Sequence, residues 1–181
     1  MRIIAGLWRG RTLAAPPGLA TRPTAERMRQ ALFDMIAHAP WAEAGLAGAR
    51  VLDGFAGTGA LGLEALSRGA ARAVFMERDR VALSVLRANI AACKAEDQAQ
   101  VVACDVLKPP AGAACGWVFL DPPYAQDFVP RALVALGGAG WIAPGAVIVA
   151  ETGRDEAFDP GLEKLAERTH GAALVTIWRW G

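Results

Sequence analysis

From residue 50 onward, short apolar runs alternate with segments whose apolar residues recur every three or four positions. The first pattern predicts strands and the second predicts helices. Arg50–Gly54, Ala73–Glu77, Ala99–Cys104, Trp117–Leu120 and Ala146–Glu151 read as five strands. Between them, Ala60–Arg68, Arg80–Ala92 and Val129–Leu136 read as helices, the first ending near Gly69. Leu162–Thr169 and Ala172–Trp178 read as a closing pair around Gly171. Strands and helices alternating in this way predict an α/β fold, a mainly parallel sheet with helices on both faces. At 181 residues the chain is read as one domain, 1–49 forming an N-terminal hairpin and helix extension and 50–181 the core.

The first fifty residues follow a different pattern. Ile3 to Ala14 reads as a small hairpin or extended arm around Arg9-Gly10-Arg11, followed by a Pro16-Pro17-Gly18 loop. Thr24 reads as a helix N-cap, with Met28, Ala31, Leu32, Met35 and Ile36 on one face. Arg27 and Arg29 fall off that stripe, toward solvent or ligand. Residues 1–50 carry seven Arg against three acids, while the remaining residues carry twelve basic and fifteen acidic side chains. A basic front on a mildly acidic body suits a polyanionic partner that meets the first fifty residues.

Composition closes off several classes. Cys93, Cys104 and Cys115 are widely spaced and odd in number, which implies reduced thiols in a cytoplasmic protein. His38 and His170 are the only histidines, so a metal site or a His-based nucleophilic triad is not expected. The uncharged run from Ala132 to Ala150 has the length of a membrane span. Its glycines and Pro144 divide it into a helix end, a turn and a strand, so no membrane contact is expected.

Two motifs carry chemistry. In Asp53-Gly-Phe-Ala-Gly-Thr-Gly59 a strand enters a helix through glycines, which let the backbone approach a ligand near a helix N-terminus. Gly57, Gly59 and Gly62 also match the dinucleotide fingerprint, and Glu77, at the end of the next strand, is placed to accept ribose hydroxyls. Taken this far, the turn admits either NAD or S-adenosylmethionine. Asp53 favours the second, because a carboxylate in the loop repels a pyrophosphate yet suits a cationic amino-acid end. Asp105, ending the third strand, can accept from an adenine amino group.

The second motif is Asp121-Pro122-Pro123-Tyr124. An aryl amine is a weak nucleophile because its lone pair is delocalised into the ring. Two acceptors on its two N–H bonds, here the Asp121 carboxylate and the Pro122 carbonyl, draw it toward tetrahedral geometry. The prolines supply no competing N–H and hold the corner rigid. Tyr124 is placed to stack on a base, a contact that contributes ~1–3 kcal/mol.

Together these residues resemble the class I S-adenosylmethionine-dependent methyltransferases with an Asp/Asn-Pro-Pro-Tyr/Phe motif. Met1-Arg-Ile-Ile-Ala-Gly, the segment from Arg22-Pro-Thr to Phe33, and the run from Val51 to Gly69 extend the resemblance to the bacterial small-subunit rRNA guanine-N2 methyltransferases. That resemblance implies a Rossmann-like, seven-stranded sheet whose last strand is antiparallel. It implies methylation of the N2 amine of a 16S rRNA guanine (position 966 in that family's activity) by a monomer acting on a small-subunit assembly particle. It assigns Asp121, Pro122 and Tyr124 to catalysis. Cofactor contacts fall to Asp53, Phe55, Ala56, Gly57, Thr58, Gly59, Glu77, Arg78, Asp105, Val106 and Asp121. RNA and substrate-entrance contacts fall to Arg9, Arg11, Arg22, Thr24, Arg27, Pro123 and Tyr124. The alternatives are an amino methyltransferase acting on adenine N6 or a protein amide, an NAD-dependent oxidoreductase, and an RNA-binding assembly factor without turnover.

Overall fold

A computed structural model describes residues 1–16, 23–42, 45–123, 127–156 and 158–181. The helices are α1 (Pro23–His38), α2 (Ala60–Ser67), α3 (Arg80–Cys93) and α4 (Phe128–Gly138). The strands are β1 (Arg50–Gly54), β2 (Arg72–Glu77), β3 (Ala99–Ala103), β4 (Cys115–Leu120), β5 (Ile142–Gly153), β6 (Glu163–His170) and β7 (Ala173–Arg179). They form one seven-stranded sheet in the order β3-β2-β1-β4-β5-β7-β6. The first five pair in parallel, and β7 runs antiparallel to both β5 and β6.

Strand alternation sorts the side chains into two cores. Val51, Phe75, Phe119 and Val149 face α1, α2 and α3, packing on Phe33, Leu63 and Leu86. Leu52, Val74, Val118 and Ile148 face α4, packing on Val129, Leu133 and Leu136. Both faces of the parallel strands are therefore covered, and this explains why they read as nearly continuous apolar runs.

The N-terminal arm belongs to the first core. Ile3, Trp8 and Leu13 are buried in it. Leu7 N donates to the Ser67 carbonyl, and Trp8 N to Ser67 Oγ. Gly6, at φ +80°, lies so close to α2 that a Cβ there would fall 1.7 Å from the Ser67 carbonyl oxygen.

Three elements differ from the sequence reading. Thr24 does not cap α1: the helix begins at Pro23, and a proline is favoured there because its ring presets φ and it lacks an N–H. β5 starts at Ile142 rather than Ala146, carrying Pro144 and Gly145 inside an irregular first section. Arg29, read as turned toward solvent or ligand, is withdrawn from solvent. It is 6% exposed and donates to the Arg2 carbonyl.

Gly62 sits where α2 crosses β2, and a Cβ there would lie 2.3 Å from Phe75 Cε1. The ring is fixed in the core, so Gly62→Ala is expected to destabilise the fold by about 1–3 kcal/mol. A melting temperature lower by roughly 2–12 °C would register it; an unchanged melt would show that the ring yields.

Candidate active site

Five consecutive strands of the sheet end in an acid. Across the sheet these are Asp105 just after β3, Glu77 at the end of β2, Asp53 in β1, Asp121 just after β4, and Glu151 in β5. The carboxyl ends of parallel strands, where the loops diverge, are where ligands bind in open α/β sheets. Asp53, Glu77, Asp121 and Glu151 each lie two residues beyond a strand residue facing α1–α3, so alternation turns all four carboxylates to that side.

Two cavities open at these strand tips. One, of about 350 Å³, lies beneath α1 and is lined by Arg29, Asp53, Ala56 and Thr58. The other, of about 570 Å³, lies over β2 and β3 and is lined by Glu77, Arg78, Asp105, Val106, Pro122 and Pro123. Phe55, Gly57, Asp121 and Glu151 line both, so the two cavities adjoin at these residues. The glycine turn and the Asp121-Pro-Pro corner, far apart in sequence, therefore meet at one opening. Tyr124 and Arg22 lie outside the described residues, and of Thr24 only the helical backbone is described.

The glycine turn is held from two sides. Asp53 Oδ2 accepts from Gly62 N at 2.9 Å, capping a helix whose own N-cap residue, Gly59, supplies no side chain. Glu77 Oε2 accepts from Gly57 N at 2.8 Å, while Oε1 accepts from Arg78 N and Asp79 N. Three backbone donors thus fix the Glu77 carboxylate in place, and a carboxylate's four acceptor positions leave Oε2 capacity for a ligand hydroxyl. Phe55 sits at φ +76°, a rare conformation for a bulky residue, and its ring packs on Phe128 at 5.6 Å. Gly59 lines neither cavity; at φ +79°, with Leu86 Cδ1 2.4 Å from where a Cβ would stand, it serves the turn and the packing. Asp105 pairs with Arg78 at 3.1 Å across the mouth of the larger cavity and also accepts from Leu107 N.

The crowding of acids shifts their titration. Burial lifts the Asp53 carboxyl to about 7; the Gly62 N–H opposes this and Glu77 adds to it. Desolvation by the surrounding cleft raises Asp121 to about 8, with the charges of Glu151 and Asp53 adding to it. The residue is itself exposed and lines both cavities, so solvent offsets part of that desolvation and its carboxyl is open to a ligand. Between about pH 4 and pH 8 the folded chain holds protons that the unfolded chain has released, and stability falls as pH rises through that window. The ligand-free protein is expected to melt higher at pH 5.5 than at pH 8. A melt that rose steadily across this range would contradict the acid cluster.

The basic front is largely occupied. Arg2 Nε lies 3.5 Å from Glu26, Arg11 donates to the Ala92 carbonyl at the end of α3, and Arg50 bonds Gln100. Arg9 and Arg27 are exposed and line a separate groove of about 490 Å³ with Arg2 and Gln30. Sequence reasoning missed Glu151, and it turned Arg29 toward solvent or ligand without foreseeing its burial. The repeated acid near each strand end was a usable signal for Glu151. The burial of Arg29 had none, because it depends on the arm folding over it.

A sheet of this order, with antiparallel β7 between β5 and β6 and a glycine turn after β1, is a Rossmann-like methyltransferase fold. Within that class, the chain belongs to the family described as "Conserved hypothetical protein 95", which matches residues 1–179. It is 38% identical over 186 residues to the ribosomal RNA small subunit methyltransferase D of Haemophilus influenzae, covering 99% of this chain and 93% of that one. The Escherichia coli K12 protein of the same name is 40% identical over 154 residues, 84% of this chain and 74% of that one. The solved structure of the Escherichia coli protein yhhF matches at 36% identity with a TM-score of 0.84, covering 99% and 97% of the two chains.

Proposed function

We propose that this protein transfers a methyl group from S-adenosylmethionine to the N2 amine of a guanine in small-subunit rRNA. The observation that carries this reading is the pair of carboxylates Asp121 and Glu151, which border both cavities. Leu120 and Ala150 are in register on adjacent parallel strands, so the two acids follow at neighbouring tips. Neighbouring strands lie about 4.8 Å apart; a bound sulfonium favours the ionised form of both acids, and two carboxylates at that spacing favour a partner rich in donors. The guanine edge presents N1–H and the N2 amine side by side. Adenine presents an amine beside an acceptor nitrogen, which a carboxylate repels. The pair therefore favours guanine over adenine N6.

The cavities suit the cofactor. Glu77 is fixed to receive ribose hydroxyls, and Val106 and Asp105 border the adenine side. A sulfonium fits among carboxylates whose neighbours already oppose their ionisation, and a pyrophosphate does not. This counts against the NAD reading. When bound, S-adenosylmethionine supplies an electrophilic methyl group. Asp121 and the Pro122 carbonyl accept from the amine and direct its lone pair; the proton released on transfer passes to Asp121 or to water. Most of the acceleration comes from alignment, an effect worth roughly 7–11 kcal/mol at most. N2 lies in the minor groove of a duplex, so the target nucleotide is unpaired or flipped out.

The relatives named for small-subunit rRNA support the substrate. Recognition of a partly assembled particle and action as a monomer in the cytoplasm belong to the same proposal. Mass analysis of 16S rRNA from a deletion strain tests it: one N2-methylguanosine is expected to disappear and to return on complementation. Loss of a methyladenosine instead, or an unchanged rRNA digest, would overturn it.

A further inference from the structure

We propose that Arg29 receives the carboxylate of the cofactor's amino-acid end, so that the cavity beneath α1 is a receptor for a zwitterion. This rests on the cofactor reading above and adds a residue and a ligand group to it. Arg29 is 6% exposed and lines that cavity together with Asp53, which is 2% exposed. Among the described lining residues it is the only cationic side chain, in a space shared with three carboxylates, Asp53, Asp121 and Glu151. Met1 also lines this space, and its α-ammonium lies 3.8 Å from Glu26, which leaves Arg29 as the side-chain cation an entering carboxylate meets.

The side chain is positioned for such a partner and incompletely served without one. Its Nη2 donates to the Arg2 carbonyl, which ties it to the N-terminal arm. Its Nε lies 3.8 Å from Glu64 Oε2, and this buried nitrogen has no hydrogen-bond partner. Glu64 also accepts from Arg68 Nε at 2.8 Å and from the Ile4 and Ala5 amides, so it offers Arg29 a charge at 3.8 Å and no hydrogen bond. Arginine offers five donors in a planar fork that matches a carboxylate. Asp53, across the same cavity, suits the ammonium. This space adjoins the larger cavity at Gly57 and Asp121, and Glu77 there suits the ribose end. One ligand lying through both would place its amino acid under α1 and its nucleoside over β2.

Calorimetric titration of the full-length protein with three ligands tests the inference. These are S-adenosylmethionine, its decarboxylated analogue, and 5′-methylthioadenosine, which lacks the amino acid. The parent protein is expected to prefer S-adenosylmethionine over the decarboxylated analogue by about 10- to 100-fold, as a charge-assisted contact implies. Arg29→Met should shrink that preference to within about threefold while keeping methylthioadenosine affinity, and Arg29→Lys should fall between. A parent protein that binds the first two ligands equally overturns the inference without any variant being needed. Parallel loss of all three ligands in Arg29→Met would assign the residue to folding alone, and a thermal melt of Arg29→Lys would corroborate that. A parent protein that bound none of the three would instead defeat the cofactor reading itself, and this inference with it.

Discussion

Asp121→Ala is expected to lower methyl transfer by about 10²- to 10³-fold, the range seen when one preorganised polar partner of a reacting group is removed. Cofactor affinity should change by only a few-fold, because Asp53, Glu77 and the glycine turn remain. The reason is positional. Asp121 follows β4 directly and faces both cavities, so it stands where the amine and the methyl donor would meet. The same substitution should not weaken the fold. The Asp121 carboxyl is lifted to about 8 by desolvation and by Glu151 and Asp53, so relative to an uncharged side chain the parent loses stability as pH rises from about 4 to about 8 and no further above that. The melt of the variant, measured against that of the parent, should therefore stand higher at pH 9 than at pH 6. Radiolabel transfer to ribosomal particles from the deletion strain, read beside calorimetry and a melt at both pH values, separates the roles. Turnover within tenfold of the parent would remove Asp121 from the chemistry.

Glu64→Ala should produce the largest stability loss of any single change on α2. Glu64 is fully buried and accepts from Ile4 N at 2.8 Å, Ala5 N at 3.1 Å and Arg68 Nε at 2.8 Å, with Arg29 Nε at 3.8 Å. Truncation leaves two guanidinium groups without their anion and two backbone amides of the arm without an acceptor. Breaking a buried pair from one side costs about 3–5 kcal/mol, a fall of roughly 6–20 °C for a chain of this size. Arg68 retains Asp34 at 3.6 Å and its stacking on Phe33, so the loss should centre on the arm and Arg29. Limited proteolysis is expected to cut within residues 1–13 first. A melt lowered by less than about 2 °C would mean that the arm is held by Ile3, Trp8 and Leu13 alone. Glu64→Gln, which keeps an acceptor but not the charge, should lie between the two.

The strands were legible because they are buried on both faces and bounded by turns. β1 coincides with Arg50–Gly54, and α3 begins at Arg80 as read, with Asp79 capping Ala82 N. The start of β5 was not legible. Pro144-Gly145 is turn chemistry by any local rule, and only the pairing of Ile142 with Cys115 makes that stretch part of a strand. Thr24 failed as a cap for a related reason: a threonine cap starts the helix at Ala25 and a proline in the first position starts it at Pro23, both satisfy local rules, and the helix began at the proline.

Local pattern by itself determined the alternation of elements, the parallel sheet, and the two motifs that bring a nucleoside cofactor and an amine into consideration. These depend on periodicity, glycine conformation and the rigidity of proline, all of which act over a few residues. Only the tertiary structure decided that Asp121 and Glu151 stand side by side, that Asp53 caps Gly62, and that Arg29 is a buried cation rather than a surface one. Each of these depends on which strands are neighbours and on an arm folded back over α2 across some sixty residues of sequence. Proximity and desolvation are properties of the assembled sheet, and no window along the chain contains them.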